Sequence, residues 1–161
     1  MLITSDIPEE EAKMEISILK NQIPEILSRV PPFRYLTESQ IILLQSFGQI
    51  IEYKPSGIIL TQGKVGGGLY VILNGQAEVK IRRLGEEVIN LARFEIGSFF
   101  GESNLLDATQ CTATVTAAYK TICFFLPRMC FESFSICMPE IKYAINKALM
   151  EEVIHRYRII N

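Results

Sequence analysis

From Ile50 to Val115 the chain interrupts every apolar run with a turn signal after a few residues, and this punctuation constrains the fold more than any other feature. The runs are Ile50 to Tyr53, Ile58 to Thr61, Leu69 to Leu73, Ala77 to Ile81 and Val88 to Leu91. Between them stand Pro55-Ser56-Gly57, Gly63 to Gly68, Asn74-Gly75 and Leu84-Gly85-Glu86. Short runs rich in β-branched and aromatic residues, bounded by glycine turns, read as strands. Strands at such regular spacing predict an all-β sandwich or barrel.

The stretch Gly97 to Val115, GSFFGESNLLDATQCTATV, departs from that rhythm. An apolar lead-in, Phe99 and Phe100, runs into Gly101-Glu102. One short helical turn, Ser103 to Leu106, and a polar bend follow, then the alternating strand Thr112 to Val115. The layout suits an anion site: a glycine permits close backbone approach, and the first amides of a helix lack intrahelical partners. Glu102 beside such a site would repel a phosphate, so its expected task is to accept a hydrogen bond from a hydroxyl of the same ligand. A sugar phosphate satisfies both requirements.

These residues resemble the phosphate-binding cassette of the cyclic nucleotide-binding domains, the family of the catabolite activator protein, the protein kinase A regulatory subunits and the cyclic-nucleotide-gated channels. Gly97, Phe99, Phe100, Gly101, Glu102, Ala113, Thr114 and Val115 match the pattern. Upstream, Gly57, Ile59, Gln62, Gly63, Leu69, Tyr70, Ile72, Gly75 and Val79 carry a second part of the resemblance, which covers about residues 34 to 135. It implies a mainly β protein: a jelly-roll β-roll (double-stranded β-helix) with N-terminal helices and two C-terminal helices. It implies a ligand site at Gly101, Glu102, Ser103, Asn104, Cys111 and Thr112, with cAMP or cGMP as ligand. Cys111 stands where the family places the arginine that clamps the cyclic phosphate. A threonine at the position of Thr112 hydrogen-bonds the ligand in the channel branch and favours cGMP; β-propensity alone also accounts for it. The more polar Ser103-Asn104 pair suits an altered ligand contact or a water-filled pocket.

With 161 residues and 48% apolar composition, a single domain is expected: an N-terminal helical segment (1–33), the roll (34–135) and a C-terminal helix (136–161). A net charge of −2 without any basic run argues against a nucleic-acid surface. The acidic N-terminus (Asp6, Glu9, Glu10, Glu11) is unlike a signal peptide and no apolar run approaches a membrane span, so a cytoplasmic location is expected. Four cysteines without a CxxC pair read as reduced, mostly buried thiols, and the lone His155 offers neither a metal partner nor a catalytic base. No nucleophile, base and orienter set is present, so neither an enzyme nor a cofactor nor a metal site is expected. Gly66-Gly67-Gly68 lacks the lysine and helix of a P-loop and reads as a flexible connector. Arg82-Arg83 reads as a solvated hairpin tip. Because the sequence stops at Asn161, a helix-turn-helix beyond the last helix is not expected.

Helices flank the strands. Pro8 and the acidic residues after it suit a first helical turn, and Met14, Ile18, Ile23, Ile26 and Leu27 fall on roughly one face. Pro24 predicts two helical pieces with a kink or break near Gln22-Ile23, and Pro31-Pro32 ends the segment. Thr37-Glu38-Ser39-Gln40 is a capping box opening a helix to about Phe47. After the strand Thr121 to Leu126, Pro127 is expected to open a helix carrying Phe131 and Phe134 inward, and Pro139 a final helix to about Ile160. Ile141, Ile145, Leu149, Val153 and Tyr157, widened by Ala148 and Ile160, form its apolar stripe. In the family that helix either pairs two subunits or closes over the ligand.

Losing a guanidinium partner from a buried phosphate costs about 2–5 kcal/mol, which weakens binding roughly 30-fold to several thousand-fold. A cation from elsewhere, Lys120 or an N-terminal lysine, is one way to compensate. Two readings follow. One is a regulatory module that senses a cyclic purine nucleotide and transmits it through its terminal helices, as Glu102 suggests. The other is a degenerate domain that binds no nucleotide and serves as a protein-interaction or assembly scaffold, with a protein partner or as a homodimer, through those helices, as Cys111 suggests.

Overall fold

Alternation of side chains along a strand decides which sequence runs become one-faced and which two-faced sheets. A computed structural model of the chain describes residues 9–85 and 87–160 and contains eight strands: β1 (Gln49–Tyr53), β2 (Ile58–Leu60), β3 (Gly68–Asn74), β4 (Ala77–Arg82), β5 (Val88–Phe94), β6 (Phe99–Phe100), β7 (Thr114–Ala117) and β8 (Thr121–Pro127). They form two antiparallel four-stranded sheets, ordered β1-β8-β3-β6 and β2-β7-β4-β5, which face each other as the expected jelly roll. In β3, Gly68 to Leu73 are all buried, and β8 is buried almost throughout. Leu69, Val71, Leu73, Ile122, Phe124 and Leu126 point to a helical layer outside the roll, whereas Tyr70, Ile72 and Cys123 point to its interior. Covered on both faces, these strands are continuously apolar. The second sheet meets solvent on one face, and β4 and β7 alternate accordingly.

Helices α1 (Glu9–Ser28), α2 (Glu38–Phe47), α4 (Arg128–Cys137) and α5 (Pro139–Ile160) form the outer layer, and α3 (Glu102–Leu106) is the short turn between β6 and β7. Of the expected kink or break near Pro24, the break does not occur: α1 is one helix through the proline. Leu19, Ile23 and Leu27, on both sides of the proline, are buried in the helical layer, so packing sustains the helix despite the hydrogen bond that proline removes. Pro8 and Asp6 lie outside the described residues, and the side chains of Met14, Ile18, Tyr157 and Ile160 are not among those described. The capping box forms: the Gln40 amide donates to Thr37 Oγ1 at 3.2 Å, and the Thr37 amide donates to Gln40 Oε1 at 2.9 Å.

Pro127 is one position earlier than expected. It ends β8 and caps α4 with extended backbone, and Arg128 is the first helical residue. Phe131 and Phe134 point inward as the pattern requires. The stripe on α5 is buried through Ile141, Ile145, Ala148 and Leu149, but Val153 is 64% exposed, because beyond Leu149 the helix overruns the core.

Candidate functional site

The site grows from a cross-strand row of rings. Tyr70 on β3 pairs with Phe100 on β6 and with Phe125 on β8. Directly opposed residues share a sheet face, so Tyr70 stacks on Phe100 at 5.2 Å and on Phe125 at 4.5 Å, and Phe94, at the end of β5 in the other sheet, stacks on Phe100 at 5.3 Å. Burial raises the Tyr70 hydroxyl above its ordinary pKa, and burial first and then the nearby Tyr70 do the same for Tyr53.

Phe100 delivers the chain to Gly101, which takes φ 78° and ψ 16° and opens α3. That left-handed backbone favours glycine, and a Cβ there would lie 2.5 Å from the Gly68 carbonyl oxygen, so β3 closes off any side chain. Glu102 and Gly101 are half-buried, and Ser103 is exposed. The Asn104 amide, expected to face an anion, instead donates to the Gly101 carbonyl at 3.0 Å and closes the turn. The Asn104 side chain is 2% exposed. Its Nδ2 donates to the Thr109 carbonyl at 2.7 Å, and its Oδ1 lies 3.5 Å from Cys111 Sγ. Asn104 is therefore a brace for the polar bend.

Cys111 is half-buried, and burial holds its thiol above the usual cysteine range, in the neutral form. Its amide donates to the Lys64 carbonyl and its carbonyl accepts from the Gly63 amide, both at 2.8 Å. Those bonds tie residue 111 to the β2–β3 loop, which is why β7 starts at Thr114 and not at Thr112. Thr112 is exposed. The triglycine is a packing device, not a loose connector: a Cβ at residue 66 would overlap the Asn104 side chain and lie 3.0 Å from Cys111 Sγ, and one at residue 67 would lie 3.1 Å from Phe125. Of the other cysteines only Cys123 is buried, its thiol pushed up to about 12 by burial; Cys130 is half-buried and Cys137 exposed, so the expectation of mostly buried thiols is too strong.

The residue that sequence reasoning missed is Arg156. Its Nη1 donates to Glu102 Oε1 at 3.2 Å, joining α5 to the start of α3 across 54 positions. α5 is fixed just upstream: Arg34 Nη2 lies 2.7 Å from Glu151 Oε2 and Arg34 Nη1 2.9 Å from Glu152 Oε1, and the Tyr35 hydroxyl donates to Glu151 at 2.5 Å. Two other cations are engaged elsewhere. Lys120 pairs with Glu52 at 3.3 Å, and Arg128 donates to the carbonyls of Gly66 and Asn104.

Comparison with known proteins matches residues 50–135 to the family model described as cyclic nucleotide-binding domain. The chain is 27% identical over 135 residues to a cGMP-dependent protein kinase of Toxoplasma gondii, a match covering 84% of this chain and 13% of the kinase. It is 33% identical over 98 residues to a cAMP-dependent protein kinase regulatory subunit of Mycosarcoma maydis, covering 60% of this chain and 18% of the subunit. The chain thus spans less than a fifth of the length of either relative. Among solved structures, the catabolite activator protein of Thermus thermophilus superposes with a TM-score of 0.72 at 26% identity, covering 81% of this chain and 59% of that one.

Proposed function

Since the chain belongs to the cyclic nucleotide-binding domain family, we propose that it is a non-enzymatic regulatory module that binds a cyclic purine nucleotide, cAMP or cGMP, and transmits occupancy through its terminal helices. The observation that carries this reading is the Gly101-Glu102 turn. A glycine in the left-handed region brings the backbone against β3, and the next residue presents a half-buried carboxylate bonded to α5. Glu102 accepts from a ribose hydroxyl, and the amides opening α3 at Gly101 and Ser103 face the phosphate. The Asn104 amide is spent within the turn, so its side chain shapes the bend while Thr112 borders the ligand from the segment before β7. Because Glu102 contacts both ligand and Arg156, a change in its hydrogen bonding is felt by α5. The similarity to the kinase and the kinase regulatory subunit supports a regulatory role, and the match is to the binding domain alone.

Cys111 favours a second reading, a domain that binds no nucleotide and acts as a scaffold through its helices, because the thiol is neutral and turned toward Asn104. Isothermal titration with cAMP and cGMP at millimolar concentration separates the two. The expected result is saturable heat that is lost in Glu102→Ala. Absence of heat with both nucleotides, in a folded sample, selects the scaffold.

A further inference from the structure

We infer that Arg156 supplies the cation for the ligand's phosphate, from the last helix and not from the cassette. The inference rests on the nucleotide-binding reading above and adds to it the residue that neutralises the anion. With a neutral thiol at position 111, the cassette contributes the Glu102 carboxylate and no positive charge of its own. A phosphate entering beside a carboxylate needs a counter-charge. Arg128 is bound to two carbonyls behind the turn, and Lys120 to Glu52. Lys64 is a neighbour of Cys111 through its backbone carbonyl, which accepts from the Cys111 amide, and it is the rival cation that the test below includes.

Arg156 differs from all of these because its guanidinium already lies on the carboxylate assigned to the ligand's hydroxyl. A guanidinium carries five N–H donors in a planar fork, and the bond to Glu102 uses one. Its side chain is 57% exposed, so further donors reach an incoming anion without breaking a buried contact. Glu102 has two carboxylate oxygens, one for Arg156 and one for a hydroxyl. The fork of Arg34 on Glu151 and Glu152 sets where this part of α5 lies, and so where the Arg156 guanidinium is delivered. Neutralisation by α5 makes the helix part of the bound state: the ligand holds Arg156, and Arg156 holds the helix.

The test is titration of the full chain and of Arg156→Met, Arg156→Lys and Lys64→Met with cGMP and cAMP, with thermal unfolding run alongside. Arg156→Met is expected to weaken binding by about tenfold to a hundredfold, the range for a hydrogen bond to a charged group. Arg156→Lys keeps the charge without the fork and is expected to fall between, and Lys64→Met to bind as the parent does. Unchanged or tighter binding in Arg156→Met overturns the inference while leaving the nucleotide-binding reading intact, as does a loss confined to Lys64→Met. A parent chain that binds neither nucleotide overturns that reading itself, and this inference with it.

Discussion

At position 111 a guanidinium would bring a permanent charge and a longer reach than the thiol that stands there. If the remaining cassette is competent, Cys111→Arg is expected to tighten cyclic nucleotide binding by roughly 30-fold or more, the equivalent of about 2 kcal/mol. Titration of a folded variant that shows no gain would mean that Gly101, Glu102 and the α3 amides do not form a phosphate seat. The neighbouring Gly66 carries a separate expectation. A Cβ at residue 66 would overlap the Asn104 side chain, so Gly66→Ala should cost about 1–3 kcal/mol in urea unfolding, and a neutral result would mean that the loop yields freely. Motif spacing made Gly101 and Glu102 legible, because a left-handed turn followed by a carboxylate is a local pattern. Arg156 was not legible: its partner lies 54 positions away, and helical periodicity marks buried positions without saying which exposed arginine meets which carboxylate.

Among the elements, α5 shows most clearly what sequence conveys and what it omits. The stripe of apolar residues at helical spacing foretold burial of Ile141, Ile145 and Leu149, whereas exposure of Val153 depends on where the underlying core ends, which is a tertiary matter. Pro24 shows the converse, since local propensity predicted a kink or break, and burial of Leu19, Ile23 and Leu27 on both sides of the proline keeps the helix continuous. The fork that holds α5 has a pH signature. The Tyr35 hydroxyl, and then the Arg34 guanidinium, hold the Glu151 carboxyl below its ordinary value of 4.5. A carboxylate with a lowered folded pKa adds stability that is fully present above the unfolded value and is lost as pH falls through the folded one. The stability gap between the parent and Glu151→Gln should therefore be open at neutral pH and close on acidification below 4.5. Urea midpoints that stay parallel from about pH 6 to about pH 3 would show that the fork does not contribute to stability.

On the scale of the molecule, the first sheet separates two cores while belonging to both. Leu69, Val71 and Leu73 enter the cluster that holds Leu27, Phe33, Leu44, Phe134 and Ile145, while Tyr70 and Ile72 enter the cluster inside the roll. Because successive residues of one strand serve opposite layers, neither layer can loosen without displacing the backbone that supports the other. The helices and the roll should therefore unfold together, although the sequence reads as an all-β segment between helical ends. Phe134 tests this directly: it is fully buried, lies 5.3 Å from Phe47 and 6.0 Å from Phe131, and belongs only to the helical cluster. Phe134→Ala is expected to cost about 3–5 kcal/mol. The chain has no tryptophan, so in a background with Tyr35, Tyr143 and Tyr157 replaced by phenylalanine the near-ultraviolet signal of the remaining tyrosines, including Tyr70 in the stacked row, reports on the roll, and the far-ultraviolet helical signal reports on the outer layer. In the variant both signals should move to lower urea by the same amount and remain superimposable, as a single cooperative transition requires. A helical signal that melts first, with the tyrosine transition left at the parent midpoint, would show that the outer layer can detach from the roll. Such detachment would also put at risk the bond from Arg156 to Glu102 that joins α5 to the start of α3.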